Sequence, residues 1–298
     1  MSIVNDIRAA FSRRDNALNQ LLLINVLVFV FLVLVKAVLW LSGFSPYFAN
    51  VLRQFVLPSD LPSLLRHPWT LLTYAFTHEG FFHILFNLLN LYWFGALVRE
   101  YLGDRRLVSL YILGALVGGI VFVAAFNLIP TLRPYAAAGT PLLGASAGVT
   151  AIVMAAATLL PEYTFSVVII GPVRIKYIAA FVILISVIAI NQGNPGGGIA
   201  HIGGAILGYI FIKQLQAGRD LGRPVQAIGD WVGNLVSGRP NLRVTHRSRA
   251  AEAPATKKAV PIKPEQEEID GILDKISRSG YESLSKDEKQ KLFKASQK

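Results

Sequence analysis

Six apolar blocks, at about 20–42, 80–98, 107–129, 142–160, 174–191 and 199–216, constrain this 298-residue chain more than any other feature. Each is close to the ~20 residues a helix needs to cross a hydrocarbon layer of ~30 Å. Backbone N–H and C=O groups inside lipid must bond within their own segment, so the blocks are expected to form six transmembrane helices in an all-α bundle. The first block is expected to stay attached, because it is longer than a signal-peptide core and "AVLWLSGF" offers no small-residue cleavage site.

Charge does not point to nucleic acid. The excess of +11 is spread along the chain, with 13 basic and 7 acidic side chains in residues 1–216 and 16 and 11 in residues 217–298. Its placement says more. Arg8, Arg13, Arg14, Arg99, Arg105, Arg106, Arg174, Lys176 and Lys213 fall at alternate ends of the blocks, while the opposite ends hold Arg53, Arg66 and Arg133, with Lys36 near a boundary. The positive-inside bias puts the first set, and both termini, on the cytoplasmic side of the membrane. Cysteine is absent, which excludes disulfides, thiolate nucleophiles and cysteine-held metal.

Four regions follow: a cytoplasmic tail over 1–19, a six-span membrane domain over 20–216, a linker over 217–264 and a small helical hairpin over 265–298. The linker is read from its Arg, Gly, Pro and Ala content. In the hairpin, Ile269, Ile272, Leu273 and Ile276 recur at helical spacing, Gly280 ends that helix, and Ser285 with Glu288 forms a capping box for the next. A cytoplasmic partner for this hairpin is a natural expectation. Between the first two blocks, "SPYFANVLRQFVLPSDLPSLLRHPWT" mixes apolar and polar residues and is expected to lie along the outer interface.

Polar groups within the blocks are few, and in a bilayer each is costly. On the topology above, the second, fourth and sixth blocks run from outside to inside, with His83 and Asn87, Ser146, and His201 near their outer ends. At 1.5 Å rise per residue, all four lie within roughly 10–15 Å of the outer boundary. His83 and Asn87 are four apart and share a helix face. Gly144 and Gly148 bracket Ser146, and Gly204 and Gly208 follow His201, a spacing that lets helix backbones approach closely. Small residues, serine included, are also ordinary packing material at such contacts, so Ser146 alone decides nothing.

The chemistry narrows by elimination. His78 and His83 are five apart, where a zincin helix needs four, and no carboxylate lies within a block to complete a metal site or an aspartyl pair. No metal or other cofactor is expected. A serine and histidine without an acid would work as a dyad, with the ring held by packing. His201 would take the proton of Ser146, and His83, Asn87 and the Ser146 backbone N–H would hold the oxyanion of an acyl transfer.

"HILFN", "GASAG" and "AHIGGAILG", in that order on the second, fourth and sixth blocks, resemble the rhomboid intramembrane serine proteases over about 45–216. The resemblance implies that Ser146 is the nucleophile, His201 the general base, and His83 and Asn87 the oxyanion residues, with His78 a structural histidine. It also implies a covalent acyl-enzyme and, as substrates, single-span or other transmembrane proteins. These would be cut near the outer face at helices that unwind easily, after small residues. Two positions depart from the pattern: Pro68 to Thr70 reads "PWT" where many members have Trp-Arg, and Thr150 replaces an aromatic ring that often stacks on the histidine. Two rival readings are a non-catalytic rhomboid-like protein that binds or escorts membrane clients, and a transporter, which the absence of mid-membrane charge disfavours.

Overall fold

Each of the six apolar blocks is a helix in the computed structural model, which describes residues 16–167, 171–237 and 264–296. They are α1 (Ala17–Leu41), α2 (Phe81–Leu102), α3 (Asp104–Leu128), α4 (Ser146–Leu159), α5 (Ile175–Asn191) and α6 (Pro195–Gln216). Among the described residues, α1, α2, α3 and α6 have the length and composition to cross a membrane, while the apolar α4 and α5 are shorter, at 14 and 17 residues. The chain is an all-α membrane bundle. Arg8, Arg13 and Arg14, and the linker from 238 to 263, lie outside the described residues.

The fourth helix starts later than its apolar block. Leu142 was expected inside it, but β1 (Leu57–Pro58) and β2 (Pro141–Leu142) pair antiparallel, Leu57 opposite Leu142, and hold that stretch extended. Helix then becomes possible only after Gly144, whose φ of 116° suits a residue without a Cβ. Asn194 starts α6: its Oδ1 accepts the Gly197 N–H at 2.9 Å, and Pro195 follows at the first helical position.

The centre of the bundle is α3, α4 and α6, and the α4–α6 contact is backbone on backbone. A Cβ at Gly204 would stand 2.1 Å from the Ala147 carbonyl oxygen, and one at Gly208 2.2 Å from that of Ala151. Gly148 faces the other way, onto the Tyr111 carbonyl of α3. Phe122, Phe126, Ile152, Phe211 and Ile212 fill the surrounding core.

The segment before α2 is tied down by buried polar groups. Tyr74 Oη donates to the Ala115 carbonyl at 2.6 Å, and Tyr111 Oη donates to the Ala75 carbonyl at 2.7 Å. Asn25, fully buried in α1, donates to Tyr111 Oη at 3.2 Å. Short helices over Phe48–Leu52, Leu61–Arg66 and Thr70–Thr73 carry the rest of this loop, and in its "PWT" stretch Trp69 Nε1 donates to the Gln54 carbonyl at 2.9 Å.

At the opposite ends of the helices, Ala17 N–H donates to Asp104 at 3.2 Å, which joins the starts of α1 and α3. The hairpin of β3 (Thr164–Val167) and β4 (Gly171–Arg174) connects α4 to α5, with Arg174 on Glu162 at 2.8 Å. The region expected as a linker from 217 instead begins with α7 (Arg223–Ser237), which Arg106–Asp220 at 2.9 Å and the Arg105–Asp230 pair fasten to α3. Its composition suggested a tether, but Ile228, Trp231, Val232 and Leu235 fall on one helical face.

Residues 264–296 belong to a separate unit. In it, α8 (Pro264–Ser279) ends at Gly280, and α9 (Lys286–Ser296) begins with the expected capping box. The Ser285 N–H donates to Glu288 Oε2 at 2.7 Å, and the Glu288 N–H donates to Ser285 Oγ at 3.3 Å.

Two predictions follow from these contacts. Gly204→Ala forces α4 and α6 apart and is expected to cost about 1–3 kcal/mol, whereas Gly229→Ala, in open space on α7, is expected to gain up to about 1 kcal/mol of helix propensity. Thermal unfolding in detergent micelles compares the two. In the C-terminal unit, the Lys275 ammonium and then the Ser285 N–H hold Glu288 down at about 2, so their stabilisation is full above the ordinary value of 4.5 and disappears as pH falls toward 2. Methyl NMR of Ile272 and Leu284 should show that loss, and Glu288→Gln should flatten it.

Candidate active site

Ser146 is the first residue of α4, where backbone N–H groups have no intrahelical partner and the helix dipole is positive. Three contacts fix the turn that presents it. Gly144 N–H donates to the Tyr74 carbonyl at 2.9 Å, Ala145 N–H donates to His78 Nε2 at 3.2 Å, and β2 holds the chain just before them. His78 is in the loop ahead of α2, and burial, reinforced by His83, pushes it down to about 4. It is therefore neutral at ordinary pH and able to accept.

Gly144 does not act through helix packing, as the small-residue spacing implied. It lies outside any helix, and a Cβ there would stand 2.7 Å from the imidazole of His83 and 3.7 Å from Ser146 Oγ. The missing Cβ leaves room for the His83 ring beside the turn that presents the serine hydroxyl. Its partner in the spacing, Gly148, closes α4 onto α3, and the approach of α4 to α6 is left to Gly204 and Gly208.

His201 lies on α6, one turn before Gly204. Packing alone was expected to orient its ring, but Nδ1 is 3.1 Å from Ser186 Oγ of α5. Thr150, at the position of the missing aromatic ring, donates to the Ser146 carbonyl at 2.7 Å. Among the described residues there is no hydrogen bond between Ser146 and His201.

Asn87 is 8% exposed, and its Nδ2 donates to the His83 carbonyl at 2.8 Å, which leaves its second N–H for another acceptor. His83 meets His78 edge to face, with ring centroids 5.1 Å apart. Ser146, His201, His83, Asn87, Thr150 and Ser186 all line one cavity of about 680 Å³. Phe82 and Phe86 of α2 and Phe181 and Ile185 of α5 border it and are exposed. Among the described residues no three His, Cys, Asp or Glu side chains converge where an ion would sit. A serine hydroxyl, an imidazole and several N–H donors around one cavity are the parts that acyl transfer needs.

Sequence reasoning missed Ser186. Its signal was present, since it is the one polar side chain between Ile178 and Ile190, but a lone serine in an apolar helix commonly bonds its own backbone.

Residues 65–216 match the family model described as Rhomboid domain, and residues 263–298 match a second, described as a family of unknown function, DUF6576. The chain is 32% identical over 158 residues to RHOMBOID-like protein 12, mitochondrial, of Arabidopsis thaliana, which covers 50% of this chain and 47% of that one. It is 38% identical over 60 residues to the rhomboid protease GlpG of Klebsiella pneumoniae, covering 20% and 22%. It is also 28% identical over 205 residues to Inactive rhomboid-related protein 2 of Caenorhabditis elegans, covering 67% and 53%. The chain spans about half the length of the curated relatives it matches first.

Gly144→Ala adds a Cβ at a positive φ and against the His83 ring. It is expected to displace His83 and cut the reactivity of Ser146 toward a fluorophosphonate at least tenfold, a barrier increase of about 1.4 kcal/mol. Gel-based labelling, with the melting temperature as a control for folding, measures this.

Proposed function

The chain belongs to the rhomboid family, and from that premise we propose that it is an intramembrane serine endopeptidase that cleaves other proteins' transmembrane helices near the outer face of the membrane. The observation that carries the reading is the shared cavity of Ser146, His201, His83 and Asn87, which come from three different helices.

In the proposed reaction Ser146 Oγ attacks a peptide carbonyl while His201 takes its proton. The Asn87 amide, the His83 ring and the Ser146 N–H donate to the oxyanion. Collapse expels the amine, which receives the proton from His201, and leaves an acyl-enzyme. Water, deprotonated by His201, then releases the acid and restores the serine. The exposed Phe82, Phe86, Phe181 and Ile185 support entry of an apolar helix from lipid between α2 and α5. We further propose six spans with cytoplasmic termini, because the basic ends of α3 and α5 and the end of α6 then share one side.

Ser146→Ala and His201→Ala are each expected to lower cleavage of a model transmembrane substrate in liposomes by at least 10³-fold, with the fold retained. Unchanged cleavage by Ser146→Ala overturns the reading. A wild-type protein that neither cleaves nor takes up fluorophosphonate would favour the client-binding alternative, in keeping with the likeness to an inactive relative.

A further inference from the structure

Ser186 sits in the middle of α5, is 2% exposed and makes two contacts through one hydroxyl. Oγ is 2.7 Å from the Val182 carbonyl oxygen and 3.1 Å from His201 Nδ1. A carbonyl only accepts, so the single hydroxyl proton belongs to Val182. Toward the histidine Ser186 then offers lone pairs alone, and the proton between them must be on Nδ1. The other ring nitrogen, Nε2, is left without a proton and able to take one.

We propose that Ser186 is the positioning residue of His201: it accepts the Nδ1–H, fixes the ring's orientation and holds the tautomer whose bare Nε2 receives the proton of Ser146. This rests on the reading of Ser146 and His201 as nucleophile and base. The first of Ser186's contacts is what any serine in an apolar helix makes. The second requires α5 and α6 to approach closely, and the helices are built for that one turn before His201: a Cβ at Gly198 would stand 2.4 Å from the Ser186 carbonyl oxygen. Thr150 also donates its hydroxyl proton to a backbone carbonyl, that of Ser146, but among the described residues only Ser186 has its Oγ within hydrogen-bond reach of His201 Nδ1.

When His201 gains the proton, the chain Nδ1–H to Oγ–H to O=C points its dipoles so that each acceptor faces the positive ring. A hydrogen bond from a charged donor is stronger than one from a neutral donor, so Ser186 stabilises the imidazolium more than the neutral ring. That is the part a carboxylate plays in a Ser-His-Asp arrangement.

The test uses the full-length protein in liposomes with a fluorogenic transmembrane peptide. Ser186→Ala is expected to lower kcat by about 10- to 100-fold with KM within about twofold, since it removes only help given to proton transfer. Ser186→Thr, which keeps the hydroxyl, should restore most of the loss. Nitrogen NMR of histidine-labelled protein supplies a readout apart from activity: in the wild type, His201 should carry its proton on Nδ1, and in Ser186→Ala the two tautomers should mix. Wild-type kcat in a folded Ser186→Ala protein, or a wild-type His201 protonated on Nε2, overturns the proposal. If Ser186→Ala does not fold, the wild-type spectrum still decides. Retained cleavage by Ser146→Ala or His201→Ala would instead sink the catalytic assignment and leave the tautomer question standing, so the two failures are distinct.

Discussion

The contact on which this structure depends is the one between the backbones of α4 and α6. At Gly204 and Gly208 the space that a side chain would occupy is filled by the carbonyl oxygens of Ala147 and Ala151. In lipid there is little hydrophobic gain from bringing two apolar helices together, so packing at this range is what holds them. It also sets the scale of the chemistry. Ser146 begins one of these helices and His201 lies a turn above Gly204 on the other, so the separation that steric fit imposes on the backbones is inherited by both side chains.

Close helix packing cannot by itself aim a serine, and the remaining precision comes from polar anchoring of the loops. Tyr74 is held through its hydroxyl by α3 and through its carbonyl by Gly144, which places the turn before Ser146 at a fixed distance from the bundle's centre. His78 supports the next residue of that turn, and β1 and β2 close it from the other side. Each of these groups is buried, and a buried polar group left unpaired costs about 1–3 kcal/mol. The anchors are therefore self-enforcing: the loop loses more by letting go than it gains in freedom.

How far the sequence displays this depends on whether the relevant physics is local. The six helices are legible because the bilayer makes demands that a window of about 20 residues can answer. Ser146, His201, His83 and Asn87 are legible as a group because polar residues in such windows are rare, and in the structure these four line one cavity. Gly144 is not, because its conformation follows from the pairing of Leu57 with Leu142, which no nearby residue announces. The start of α4 was misplaced for the same reason. Ser186 is hidden differently: its own helix gives it an ordinary partner in Val182, and only the close approach at Gly198 brings His201 within reach. In α7 the glycine and arginine content obscured an amphipathic period that was there to be counted.

Among the described residues the one carboxylate that lines the cavity is Glu79, exposed in the loop ahead of α2, and the surroundings explain why none is buried beside His201. A histidine that must accept a proton is helped by an acceptor at Nδ1, and an ionised aspartate is the strongest available. In a site walled by apolar helices, however, a carboxylate would have to be desolvated, which costs several kcal/mol per ion even after relaxation. Before the reaction it would face a neutral ring, with no opposite charge to offset that cost. A serine whose proton is committed to Val182 supplies the same lone pair at no net charge. It stabilises the imidazolium less, but it is cheap to bury, and while its proton stays on Val182 it accepts only from a protonated Nδ1, so it favours the same tautomer that an acid would. On this account the hydroxyl is the form that an orienting group takes when the site must be built inside a membrane.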